Sequence, residues 1–151
     1  MTEPAPILSF TIRCPRSLNH APRHWAARAR LRRSIYVEVL VAMQKDPRWR
    51  AAVLHPLLDS DRRKRKVVFT RGVGIARNKS GRGAHPTHVL DEDNFRGGLK
   101  SLVDTLLTDK PRRPGHGLLI DDSPAFLVSE YKQDASVEGG FLRVDVFEVT
   151  P

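Results

Sequence analysis

The stretch Phe141-Leu142-Arg143-Val144-Asp145-Val146-Phe147-Glu148-Val149 reads as a β-strand. Leu142, Val144, Val146 and Glu148 alternate with Phe141, Arg143, Asp145, Phe147 and Val149, a two-residue period that an extended chain turns into two distinct faces. A helix would scatter the same residues around its surface. Ile7 to Cys14 repeats the pattern, with Leu8, Phe10 and Ile12 on one side and Ser9, Thr11 and Arg13 on the other. Val67-Val68-Phe69-Thr70 has strand composition. Phe126 to Lys132 predicts a further strand, joined to the last one through Asp134 to Gly140.

Between the strands the period lengthens. From Trp25 to Gln44, Ile35, Val39 and Met43 recur every four residues with Ala29, Leu31, Tyr36 and Leu40 nearby, which predicts an amphipathic helix. A second helix is expected from Phe95 to about Thr108, with Leu99, Leu102, Val103, Leu106 and Leu107 on one face. Gly97 and Gly98 would weaken its first turns by roughly 1 kcal/mol each relative to alanine. Either a backbone or phosphate approaches closely there, or the helix starts later. Pro47 to Ser60 is a connection or short helix, with Trp49, Val53, Leu54, Leu57 and Leu58 covering one edge of the core. Gly72 to His88 reads as a mobile loop. The element order predicts an α/β fold of the α+β type, a mixed sheet of about four strands packed with two main helices. At 151 residues the chain is expected to form a single domain across its whole length.

No apolar run approaches the roughly 18 residues that span a bilayer, and the first residues lack the charged start and apolar stretch of a signal peptide. A cytoplasmic protein with no membrane association is expected. The single cysteine, Cys14, fits a reducing compartment and reads as a small buried side chain. Charge is more informative. The net charge is +9, yet residues 1–82 hold 19 Lys and Arg against 5 Asp and Glu, and residues 83–151 hold 7 against 12. Such a split suits a surface that attracts a polyanion, joined to a region that gathers carboxylates. Nucleic acid is the obvious polyanion, and Arg28, Arg32, Arg63, Lys64, Arg65 and Arg96, together with the neutral Asn19, are the residues expected to meet it. A solvated helix face and a charged run guarding a sheet edge are the competing accounts of these basic groups.

Asp91-Glu92-Asp93-Asn94 precedes the second helix, and Asp121-Asp122 follows about thirty residues later. Carboxylates with few histidines suit a hard cation such as Mg²⁺, which takes one or two carboxylates together with substrate phosphate oxygens. Asp91 and Asp93 stand two apart on an extended lead-in, so both can face one side. On spacing alone a helix cap at Asp93 or Asn94 and a turn at Asp121-Asp122 account for the same residues.

The motifs Leu90-Asp91-Glu92-Asp93-Asn94-Phe95, Lys100, Asp104-Thr105-Leu106 and Gly117-Leu118-Leu119-Ile120-Asp121-Asp122-Ser123 together resemble the signature of RusA-type Holliday junction resolvases. Pro15-Arg16-Ser17-Leu18-Asn19 also resembles the Pro-x-Ser-x-Asn segment after the first strand of that family. The resemblance implies a homodimeric endonuclease that nicks four-way DNA junctions, with Asp91, Asp93 and Asp122 as acidic catalytic residues holding Mg²⁺, for which Mn²⁺ can substitute. The family carries a functional lysine four residues after its second aspartate, where this chain has Gly97. Lys100 is the candidate substitute and Arg96 the second. A protein that binds branched DNA without cutting it is the alternative. An RNA-binding reading would call for stacking aromatics on a sheet face, and no such motif stands in the sequence.

Overall fold

The computed structural model describes residues 4–16, 20, 22–77, 84–85 and 88–150. Four strands, β1 (Leu8–Arg13), β2 (Arg65–Gly72), β5 (Leu127–Asp134) and β6 (Phe141–Glu148), make a mixed sheet in the order β1-β6-β2-β5. β6 runs antiparallel to both β1 and β2, and β2 runs parallel to β5. The register explains the alternation in the sequence. Phe10, Val144, Phe69 and Tyr131 form one row across the sheet, and Leu8, Val146, Val67 and Ser129 the next. These rows face the helices. The opposite face carries Lys66, Glu130 and Lys132 in one ion-paired group and Arg143 with Asp145 in another. The expected mixed four-stranded α+β architecture is the one observed.

α1 (Trp25–Met43) packs on β1 and places Ile35, Val39, Ala42 and Met43 in the core. The second helix differs from its expected form. It starts earlier, at Glu92, and divides into α3 (Glu92–Gly98) and α4 (Lys100–Leu106) about a turn at Leu99. Gly97 and Gly98 stand at the break, since two adjacent glycines hold a helix poorly. Leu99, Leu102 and Leu106 are nevertheless buried together, so the apolar stripe survives it. α2 (Trp49–Ala52) is a single turn that brings Trp49 against the core and leaves Leu54 buried just beyond it. Val53, Leu57 and Leu58 are exposed, so that segment covers less of the core than its composition suggests. Within the region read as a loop, β3 (Ala76–Arg77) and β4 (Ala84–His85) pair antiparallel. No helix among the described residues is long and apolar enough to cross a membrane.

The connection from α4 to β5 is pinned at several points. Gly117 N–H donates to Leu107 O, Leu118 N–H to Leu106 O and Leu54 N–H to Gly117 O, at 3.0, 2.8 and 2.7 Å. Gly117 has φ +69°, and a Cβ there would meet Val53 Cγ1 at 3.1 Å, so glycine is required. Just before it, His116 is buried, stacks on Tyr36 with ring centroids 4.1 Å apart and donates from Nε2 to Tyr36 O at 3.0 Å. Burial lowers the His116 pKa, against the opposing hydrogen bond to Tyr36 and the charge of Asp109.

Arg65, expected to contact DNA, is sealed inside the protein. Its Nη1 donates to Ala52 O and to Leu118 O, the latter at 2.9 Å, and its Nη2 lies 3.1 Å from Glu148 Oε1. The basic run is therefore only in part a free cationic patch, which among the described residues is left to Arg62 and Lys64. Arg63 pairs with Asp61 and Glu148, and Lys66 with Glu130. β2 is also an interior strand of the sheet, which removes the edge-guarding account of the run.

Replacing Arg65 with alanine strands two buried carbonyls and leaves a cavity, so urea denaturation should show a loss of about 3–5 kcal/mol, with Arg65→Lys only partly restoring it. His116 predicts a pH effect. Its folded pKa lies below the usual histidine value, so the unfolded chain takes up the proton first, and stability falls as pH drops below about 6.5 toward the folded value. His116→Gln should flatten that part of the stability–pH curve.

Candidate active site

Leu90, the residue before the acidic motif, is held at both its polar atoms by one side chain. Gln133 of β5 accepts from Leu90 N–H at 2.9 Å and donates to Leu90 O at 2.7 Å, so its amide acts as a short length of partner strand. Arg71 of β2 donates to Gln133 Oε1 at 2.9 Å and to His88 O at 2.7 Å, fixing the same lead-in. The chain then turns into α3. Asp91 is its N-cap: one carboxylate oxygen accepts from Asn94 N–H at 2.9 Å and the other from the Asn94 amide nitrogen. Those two hydrogen bonds lower the Asp91 pKa, because both favour the carboxylate.

Asp93, in the first turn of α3, is exposed and looks toward β5. Asp122 arrives from the other direction. The buried run Leu118-Leu119-Ile120 is tied to the end of α4, and the chain then leaves the core. Asp121 accepts from Asp122 N–H at 2.8 Å, and Ser123 O accepts from the N–H groups of Phe126 and Leu127, both at 2.9 Å. This compact turn sets Asp122 on the surface.

Asp93 and Asp122 line one cleft of about 410 Å³, together with Arg96, Gly97 and Lys100 of the broken helix. β5 supplies the wall through Leu127, Ser129 and Tyr131. The Arg96 guanidinium lies over the Tyr131 ring, 5.5 Å from its centroid, and Phe69 and Phe95 hold that ring from the core. Among the described residues neither Arg96 nor Lys100 is engaged in an ion pair, and neither carboxylate is neutralised by one. Two unpaired carboxylates and two unpaired cations thus share a concave, water-accessible site. The carboxylates are hard oxygen donors of the number Mg²⁺ takes from protein when phosphate and water complete its shell, so Asp93 and Asp122 fit that ion.

Of the four residues expected to carry catalysis, three line the cleft. Asp91 is not part of that lining; its two oxygens each accept from Asn94, and among the described residues no three His, Cys, Asp or Glu side chains gather into a metal-holding group. Two of the three carboxylates expected to form a cluster, Asp93 and Asp122, line the cleft together. Of the residues expected to meet DNA, Arg96 lines the cleft, Arg28 is exposed with its Nε–H donated to Pro22 O, and Lys64 is half-buried. Arg32 lines a separate hollow, Arg63 is ion-paired and Arg65 is in the core. Asn19 lies outside the described residues. Sequence reasoning missed Arg71, Ser129, Tyr131 and Gln133. The alternation Leu127, Ser129, Tyr131, Gln133 was the available signal, since it puts two polar groups on the face of β5 that otherwise looks to the core. Compared with protein-family models, with curated proteins and with solved structures, the chain gives no match.

The different duties of the aspartates should appear in stability. Asp91→Ala removes a cap and should lower the thermal midpoint by roughly 3 °C, whereas Asp93→Asn and Asp122→Asn should move it by about 1 °C or less. Equal losses for all three would contradict the assignment of Asp91 as the cap.

Proposed function

We propose that this chain is a Mg²⁺-dependent endonuclease that cuts branched DNA as a homodimer, as its resemblance to the RusA-type resolvases implies, and that it acts in the cytoplasm. The observation that carries the reading is the convergence of Asp93 and Asp122, from segments about thirty residues apart, on one cleft that also holds Lys100 and Arg96. Carboxylates alone repel DNA. Cations beside them offset that repulsion and fix the phosphate against the acidic pair.

Asp93 and Asp122 would hold the metal, which supplies Lewis acidity toward the phosphate and a nucleophilic water at neutral pH. The rest of the work falls to the chain itself. Arg96, steadied on Tyr131, presents a guanidinium whose fork matches two phosphate oxygens. Lys100 offers a point charge to the oxygens that become more negative as the phosphodiester opens. Gly97 leaves bare backbone at the cleft wall, which lets a phosphate approach. Asp91 acts on the site indirectly, by capping α3 and so orienting the turn that carries Asp93. The position taken by Gly97 favours a second reading, a junction-binding protein that does not cut, because the resemblance implies a lysine there.

Synthetic four-way junctions in Mg²⁺ or Mn²⁺ separate the two. The endonuclease reading expects metal-dependent nicking that falls roughly 100-fold or more in Asp93→Asn and Asp122→Asn and about tenfold or more in Lys100→Ala, with junction binding retained. Tight binding by the wild type with no nicking in either metal leaves the binding protein, and nicking that survives in Asp93→Asn discards the cleft as its source.

A further inference from the structure

Ala29, Arg32, Arg33 and Tyr36 stand at i, i+3, i+4 and i+7 of α1 and so share one face of that helix. Together with the turn at Arg112 and Pro114 they enclose a hollow of about 190 Å³. Three arginines line it, Arg32 half-buried and Arg33 and Arg112 exposed, and the lining contains no carboxylate. Among the described residues none of the three arginines is in an ion pair. Like charges gathered in a concavity repel one another unless an anion joins them.

Two details point the same way. Arg32 Nε is buried without a hydrogen-bond partner, as are Arg65 Nε and Thr70 Oγ1 in the core, but of the three it alone belongs to a residue lining this hollow, whereas buried donors in folded proteins are almost always satisfied. Arg112 has φ +65° and follows Pro111 in a tight turn closed by Lys110 N–H to Arg113 O at 3.0 Å and Arg113 N–H to Lys110 O at 2.9 Å. Glycine or asparagine ordinarily fills that turn position, because other side chains strain the backbone there. The chain accepts the strain and brings Arg112 to the wall of the hollow. Tyr36, which forms the aromatic wall, is fixed by its stack on His116.

We infer that this hollow is a second phosphate site, in which Arg32, Arg33 and Arg112 grip one phosphodiester of the DNA backbone away from the cleft. Guanidinium forks match phosphate oxygens two at a time, and Arg32 Nε gains the acceptor it lacks. α4 separates the two sites: Lys100 opens it beside the cleft, and the Arg112 turn follows its end after a helix roughly 10 Å long. A strand held at both would be fixed in direction as well as position. The inference rests on the DNA reading above, and its test keeps the two apart.

Inorganic phosphate is the first probe, titrated while the Arg32 Nε–H resonance is followed by NMR. The wild type should show a saturable shift, and Arg112→Gly should lose it. Glycine suits the backbone at 112, so this variant should melt at or above the wild-type midpoint, and a lost response then reports on the guanidinium. Absence of a shift in the wild type overturns the site whatever the protein does with DNA. The second measurement is junction binding across salt concentrations, in which Arg112→Gly should weaken binding about threefold to tenfold and lower the slope of log Kd against log salt by about 1. Unchanged affinity and slope overturn the DNA assignment. A wild type that binds phosphate at Arg32 but no DNA overturns the endonuclease reading as well, and is told apart from a missing site by the first probe.

Discussion

A guanidinium buried among backbone carbonyls holds this molecule to one arrangement. Arg65 enters the core at the first residue of β2 and bonds the end of α2 through Ala52 O, the pre-β5 segment through Leu118 O, and β6 through Glu148. A buried charge is costly unless every partner stays in place, so these three pieces of chain cannot shift separately. The consequence for function is direct. Leu118 begins the run that ends at Asp121-Asp122, and Leu118 and Leu119 N–H also bond Leu106 O at the end of α4. The position of Asp122 relative to the broken helix is thereby set by contacts made in the dry interior, four residues before the cleft.

The other half of the cleft is set from the sheet edge. β5 has a neighbour only on its β2 side, and its far edge would be open were the segment around Leu90 not drawn toward it by Gln133. A side-chain amide offers the same donor and acceptor as a peptide unit, so it can hold a passing strand at one residue without extending the sheet. Asp91 then starts α3 and Asp93 follows within the first turn. Two carboxylates far apart in sequence thus converge because one is anchored to the core by Arg65 and the other to the edge strand by Gln133.

The parts of the fold written in local periodicity were legible. The alternation of Phe141 to Glu148 described a strand buried on one face, and the four-residue recurrence of Ile35, Val39 and Met43 described α1, because each pattern reflects burial against one neighbour. What depended on distant partners was not. Arg65 sits in a run of six charged residues, and nothing local separates it from Arg63, which stays near the surface; only the register with β6 and the reach to Ala52 make it interior. Asp91 and Asp93 likewise have the same chemistry two residues apart, and the difference lies in where α3 begins, which the Gly97-Gly98 pair obscured. Asp91 falls at the cap and Asp93 two residues beyond it, so one carboxylate is hydrogen-bonded to Asn94 and the other is left exposed in the cleft.

The same break bears on the cation that the resemblance places at position 97. In an uninterrupted helix Gly97 and Lys100 are three residues apart, near neighbours on one face. The turn at Leu99 changes the path between α3 and α4, yet both residues still line the cleft, beside Asp93 and Asp122. Lys100 therefore stands within the cleft, and Gly97 presents no side chain to its wall. On the proposed endonuclease reading, Lys100 is thus a cationic group beside Asp93 and Asp122 although position 97 carries no side chain.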